Sequence, residues 1–362
     1  MAGTGRNLVS GERNMPRQAH RPAIWPDSRK GSTHRGSSRL PRVLSAAVCA
    51  VGLVLAAGAA RAADDYPNHS ITLVVPYAPG GGVDSVGRIL GRALAKELNQ
   101  SVVVENRPGA GATVGASYVQ RSAPDGYTMI VVDPALIINP SLMASLPYDA
   151  NRDFQPVSLL TLSPLILTTT NSLPVKSVAD LQALGKSGGQ GLSFASAGIG
   201  TTPHMAGELF KLQTKGNFTH VPYKGSGPAM TDLISGQVQF SFSTVAAASP
   251  FISSGKIRAL ATTGAERSPD FPNLPTVAET VPNFKVLFWT GLFVPAKTPP
   301  QVVAKLNAAV TKAWATDEVK DALKKIGEYA APTMTSAQAK DFVVGESKMW
   351  ATVVKDANIK VD

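Results

Sequence analysis

Ile71-Thr72-Leu73-Val74-Val75-Pro76-Tyr77-Ala78-Pro79-Gly80-Gly81-Gly82-Val83-Asp84-Ser85-Val86 is the stretch that decides the fold. A β-branched run over Ile71–Pro76 stops at a glycine-rich turn. Beyond the turn, Val86, Ile89, Leu90, Ala93, Leu94 and Leu98 return at helical spacing, which predicts a helix from about Asp84 to Leu98. Strand, turn, helix is the unit of an α/β protein with largely parallel strands. The pattern continues with a predicted strand at Ser101–Glu105, a Gly/Ala loop and helix from Gly109 to Gln120, and a strand at Thr128–Val132. Together these make one doubly wound lobe.

The same signature then recurs. A predicted strand at Leu192–Ser196 runs into Ala197-Gly198-Ile199-Gly200-Thr201-Thr202-Pro203-His204 and a helix over Met205–Leu212. Strand Thr219–Tyr223, helix Ala229–Ser235 and strands Val238–Ser243 and Ile257–Thr263 complete a second lobe. Between the lobes, Pro156–Thr170 is a long β-prone run with Pro164 inside it, and Val286–Pro295 is another that can cross back. A short helix is expected near Val178–Leu184. The closing helices open at Thr298-Pro299-Pro300 and at Thr335, whose Gln338 completes a capping box. The expected fold class is α/β, with two doubly wound lobes joined by two crossing segments. Residues 63–166 and 288–362 form one lobe and 167–287 the other.

Ahead of this lies a leader, residues 1–62. Basic residues from Arg6 to Arg42 precede the nearly uncharged run Val43 to Ala60, and Ala60-Arg61-Ala62 offers small residues to a signal peptidase. An anchor helix is the competing reading, since about 18 apolar residues is the lower edge of a membrane span. The small-residue site and the lack of a basic stop-transfer cluster favour Sec-type cleavage near Ala62 and export to the periplasm. Either Met1 or Met15 can serve as the start. The whole chain of 362 residues carries a formal +10, from 35 Lys+Arg against 25 Asp+Glu. The leader holds 10 of those basic residues and 2 of the acidic ones, so the mature chain is left near +2. A nucleic-acid partner therefore loses its electrostatic basis. The single cysteine, Cys49, leaves with the leader, which excludes cysteine catalysis, disulfides and thiolate metal sites from the mature chain.

Two glycine-rich strand-to-helix turns suit anion binding. Successive backbone N–H groups point outward, and the following helix adds unpaired donors and the positive end of its dipole. In open α/β sheets ligands also sit beyond the carboxyl ends of the strands. The plainer reading makes these tight turns, with Asp84 and Thr201 or Thr202 as helix caps. The two readings are compatible, because a cap leaves donors over. Lys224-Gly225-Ser226-Gly227-Pro228 is a weaker third turn of this kind. Enzyme signatures fit poorly. Gly109-Ala110-Gly111-Ala112-Thr113-Val114-Gly115 with Asp133 is one residue too long for a dinucleotide fingerprint, and His69, His204 and His220 lack metal-ligand spacing. Binding outranks catalysis, and no cofactor or metal is expected. An exported or cofactor-dependent α/β enzyme stays as the alternative from another class.

Pro76-Tyr77-Ala78-Pro79-Gly80-Gly81-Gly82-Val83-Asp84, Val104-Glu105-Asn106-Arg107-Pro108-Gly109-Ala110-Gly111, Pro124-Asp125-Gly126-Tyr127-Thr128 and Asn139-Pro140-Ser141-Leu142 resemble segments of the tripartite tricarboxylate transporter receptors, also called Bug proteins. So do Ala195-Ser196-Ala197-Gly198, His204-Met205-Ala206-Gly207-Glu208, Val221-Pro222-Tyr223-Lys224-Gly225 and Gly291-Leu292-Phe293-Val294-Pro295-Ala296. The matches run in order through essentially the whole mature chain. The resemblance implies a type II periplasmic binding protein, not an enzyme. Such a protein is a monomer that closes on a small organic carboxylate and hands it to membrane permease subunits, or alternatively presents it to a membrane sensor kinase. Carried over by motif position, the ligand-binding residues are Tyr77, Ala78, Gly80, Gly81 and Asp84 from the first loop, and Ser196, Ala197, Gly200, Thr201 and His204 from the second. Asp133 and Thr244 add contacts. Three departures, Val83, Ile199 and Gln239, stand where the family often has polar or acidic residues. They suggest a less polar solute end, that of a monocarboxylate.

Overall fold

In the computed structural model the first strand forms over Ile71–Val75 (β1), where only Thr72 is less than fully buried. It pairs in parallel with Val102–Asn106 (β2) on one side and Thr128–Val132 (β3) on the other. The structure describes residues 66–143, 145–187 and 191–359, so the predicted leader lies outside the described residues. The helix after β1 spans Gly82–Leu98 (α1) and buries Val86, Ile89, Leu90 and Leu94, as its periodicity requires. Thr113–Gln120 (α2) follows β2, and Ala135–Leu142 (α3) and Ala150–Asp153 (α4) follow β3.

The run predicted to leave the lobe is a single strand, Phe154–Thr170 (β4). Its first part, Phe154 to Pro164, pairs antiparallel with Leu287–Pro295 (β9). From Leu165 it exchanges that partner for Phe240–Thr244 (β7) and Ile257–Thr262 (β8). Proline at 164 donates no ladder bond, so the exchange falls where the ladder is already interrupted. The next amide, Leu165 N–H, turns to Thr263 Oγ1 at 2.8 Å. Leu192–Ser196 (β5) and Phe218–Pro222 (β6) extend the second lobe in parallel, giving the strand order β2-β1-β3-β9-β4-β7-β5-β6 with β8 beside β4. Its helices are Val178–Lys186 (α5), Thr202–Thr214 (α6), Ser226–Ser235 (α7) and Val245–Ser253 (α8).

The return to the first lobe begins at Thr263, whose N–H donates to Leu165 O and whose carbonyl accepts from Val286 N–H. The strand β9 itself then pairs with β4 from Leu287 to Pro295 and with β3 from Gly291 to Phe293. The closing helices, Pro300–Trp314 (α9) and Asp317–Lys325 (α10), pack on α1. Ser336–Asp356 (α11) lies on α3 and β4 and reaches α6. Leu73, Leu90, Leu306 and Val310 centre one core, and the rings of Phe194, Phe210, Phe218, Phe240, Phe242 and Phe284 fill another.

Most predicted elements differ from the observed ones by a few residues at an end. Four helices, α3, α4, α8 and α10, go unpredicted. Of these, α3 and α8 are apolar on nearly every face and contain a proline, Pro140 and Pro250, so neither shows a helical period. Helices α1, α6 and α7 begin two or three residues earlier than their apolar patterns suggest, directly out of their turns.

Candidate functional site

A cleft of about 570 Å³ opens at the carboxyl ends of the parallel strands. The first lobe lines it with Tyr77, Gly80 to Val83, Asp133, Phe288 and Glu328. The second lobe supplies Ala197 and Thr201 to Pro203 from one turn, Gly225 to Gly227 from the next, and Thr244, Ala246 and Ala247 from the start of α8. Four helices therefore begin at this cleft. The N-caps of α1, α6 and α7 are Gly81, Thr201 and Gly225, and none makes a side-chain capping bond, so their first-turn amides stay available. At α8 the Thr244 side chain accepts from Ala247 N–H, which leaves the neighbouring amides free of that cap. No lysine, arginine or histidine is among the lining residues. Affinity for an anion in this cleft rests on oriented amides and hydroxyls.

The first-lobe wall is built around two carboxyls. Tyr77 O–H donates to Asp133 Oδ1 at 2.6 Å, and Ala135 N–H donates to the same oxygen at 3.1 Å. Burial pushes the Asp133 carboxyl above the usual carboxylate range against those two bonds, and it pushes the Tyr77 phenol up as well. Glu328 is 3% exposed and accepts from Ser163 Oγ at 3.3 Å. Burial raises it to about 7, with hydrogen bonds from Thr161 and Ser163 acting the other way. Asp84 serves the loop from behind. Its Oδ2 accepts from Gly80 N–H and Arg88 Nε, each at 2.9 Å, and its Oδ1 accepts from Asn106 Nδ2 at 2.8 Å. Burial works to raise it, but those bonds win and hold it below its ordinary value.

On the second-lobe wall, Thr202 is 2% exposed and its Oγ1 has no hydrogen-bond partner. A buried hydroxyl in that condition costs free energy until something enters to meet it. Behind the turn, Ser196 Oγ accepts from Gly198 N–H at 3.1 Å and lies 2.7 Å from His220 Nε2. His204 accepts from Gly200 N–H through Nδ1 at 3.2 Å and stacks on His220 at 3.9 Å. Burial drives both imidazoles down, His204 to about 4 and His220 to about 3. They face a second hollow of about 220 Å³, with Ile199 and Glu208.

Of the residues expected at the site, Tyr77, Gly80, Gly81, Asp133, Ala197, Thr201 and Thr244 line one cleft. Ala78, Asp84, Ser196, Gly200 and His204 do not line it. The last four instead hydrogen-bond the two turns from behind, at the places just described. The three departures separate in the same way. Val83 lines the cleft. Ile199 faces the other hollow, and Gln239 accepts from Ser193 N–H and Ser193 Oγ near the opposite end of β5. Neither of those two residues lines the cleft. Gly82, Thr202, Pro203, Ala246, Ala247, Phe288 and Glu328 also line the cleft and are not among the expected residues. Thr202 was legible as part of the second turn, whereas Glu328 sits in no recognisable motif and is brought to the cleft by the fold alone.

The family model described as tripartite tricarboxylate transporter family receptor matches residues 86–359. Protein BugT of Bordetella pertussis is 36% identical over 90% of this chain and 99% of its own length. Among solved structures, R. palustris Rpa4515 with adipate is 35% identical, with a TM-score of 0.73, covering 82% of this chain and 100% of that one. MatC from Rhodopseudomonas palustris with bound malate is also 35% identical, with a TM-score of 0.70, covering 80% of this chain and 100% of that one.

Proposed function

The chain belongs to the tripartite tricarboxylate transporter receptor family and is a solute-binding receptor, not an enzyme, and we propose that as a periplasmic monomer it captures a small organic carboxylate between its lobes for membrane permease subunits. One observation carries the ligand class: helix N-termini from both lobes converge on a cleft with no cationic lining residue. Amide donors suit the planar, delocalised charge of a carboxylate, and burial away from water strengthens each of those bonds. The similar proteins solved with adipate and malate support the same class. Tyr77, Gly80, Gly81, Asp133, Ala197, Thr201 and Thr244 are the residues proposed to touch the ligand, joined by Thr202 and Glu328.

Lobe closure over the ligand is the shape a permease reads. The exchange of partners on β4 between Pro164 and Leu165 supports dividing the lobes at residues 166/167 and 287/288. Among the described residues no helix is long and apolar enough to cross a membrane. The test is a thermal-shift and calorimetric screen of carboxylates against residues 63–362, with native mass spectrometry of the purified protein. A true ligand at about 100 times its dissociation constant adds about 2.7 kcal/mol of apparent stability. A retained nucleotide, or turnover of a retained compound, would overturn the receptor reading.

A further inference from the structure

Glu328 is a buried carboxyl in the cleft wall, and none of the motifs that carry the family resemblance includes it. The segment that bears it is held rigidly. Leu162 N–H donates to Tyr329 O, and Ala331 N–H donates to Leu160 O, which clamps the residues after Glu328 along β4. Before it, Gly327 has φ +72, and a Cβ there would come within 2.8 Å of Ala246 Cα at the start of α8. Only glycine permits that approach. The Glu328 carboxyl is thus fixed between the second lobe and the first turn of α1. Its Oε1 is 4.0 Å from where a Cβ on Gly82 would stand.

The groups facing it are hydroxyls, Ser163 and Thr161, and no cation lines the cleft to neutralise it. Asp133, half-buried, adds a second carboxyl to the same wall. The opposite wall has no acid. It offers the first turns of α6, α7 and α8 and the unpartnered Thr202 hydroxyl. A carboxylate is better placed on that second wall, where every nearby dipole end is positive. The other end of the ligand then lies against Glu328.

We infer that Glu328 is the specificity-determining residue for the ligand end that meets the first lobe, accepting a hydrogen bond from a hydroxyl or ammonium group there and turning away a second ionised carboxylate. This rests on the carboxylate-receptor reading. A site built to bond a donor rejects a ligand that lacks one, because its own polar group is left buried and unpaired. Burial raises this carboxyl to about 7, so its ionised, accepting form prevails above that pH.

Calorimetry on residues 63–362 decides it, with the dicarboxylates from succinate to adipate set against the ω-hydroxy and ω-amino monocarboxylates of matching length. The native protein should prefer a donor-ended acid to its matched dicarboxylate by about tenfold or more at a pH well above 7, where Glu328 is ionised. Glu328→Gln, nearly isosteric and uncharged, should erase or invert that ratio, and Glu328→Asp should keep its sign. The hydroxy and amino series tell which donor is read. If both proteins bind carboxylates and the ratio does not move, this inference is overturned and the receptor reading stands. If no carboxylate binds either protein, both fall. Should Glu328→Gln misfold by circular dichroism, a native protein that favours the dicarboxylate still overturns the assignment.

Discussion

The first-lobe wall of the cleft presents a half-buried Asp133 and a buried Glu328, together with the uncapped start of α1, whereas the second-lobe wall presents three helix starts and hydroxyls without any acid. The two lobes share one topology and one kind of turn, so the contrast does not come from the fold. It comes from what is delivered to each turn by distant chain: Asp133 and the Gly327-Glu328 segment on one side, His220 behind the other. One architecture thereby yields two cleft-facing surfaces of opposite electrostatic sense. A molecule with unlike ends has one preferred orientation between them.

Filling the cleft from one side should break the symmetry of the turns most severely. A Cβ on Gly81 meets nothing within 4 Å, so Gly81→Ile folds and projects its side chain into the space a ligand needs. Affinity should fall by about 100-fold or more, with a melting temperature within a few degrees of the native value. Unchanged affinity would place the ligand elsewhere.

Proton uptake should separate the walls next. Glutamate ordinarily ionises near 4.5 and Glu328 near about 7 in the folded protein. The folded chain therefore keeps a proton that the unfolded chain releases, and stability falls as pH rises from about 4.5 to about 7. The loss is on the order of 3 kcal/mol, and Glu328→Gln should abolish it in urea titrations across that window. The histidine stack works in the opposite sense. His204 and His220 stay neutral to about 4 and about 3 against an ordinary 6.5, so stability falls as pH drops below about 6.5. A double Phe replacement of that pair should flatten the acid limb and leave the Glu328 limb in place.

Smaller effects sharpen the contrast further. Thr202→Val removes a buried hydroxyl that has no partner in the unliganded protein, so folding stability should hold or rise slightly. Carboxylate affinity should fall by about tenfold, and equal affinity would show that the hydroxyl does not meet the ligand. Ile199→Ser should leave affinity unchanged within error, because its side chain faces the other hollow, while Val83→Ser in the cleft should shift it measurably.

Legibility followed the physics of each element. Thr128–Val132 and Leu192–Ser196 were read to the residue, because short runs of mainly β-prone residues between turns have few alternatives. The starts of α1, α6 and α7 fall two or three residues ahead of the predicted ones, since the first turn of each is made by its glycine-rich loop and shows no apolar period. The helices α3 and α8 were invisible for want of a polar face. At the site, the turns were readable because glycine clusters are local signals. Glu328 was not, because its place beside Gly82 and Ala246 depends on β4 and on a close backbone approach between segments far apart in the chain.

The position of β9 sets the order in which the molecule can be completed. Ile130 pairs with Phe293 and Val132 with Gly291, so the centre of the first sheet is filled by residues made after the whole second lobe. Until they emerge, β3 offers an open edge that can be taken by any other extended chain. Pairings this distant in sequence are slow to close. The first sheet therefore cannot reach its finished form until residues 287–295 have been synthesised, after the whole second lobe.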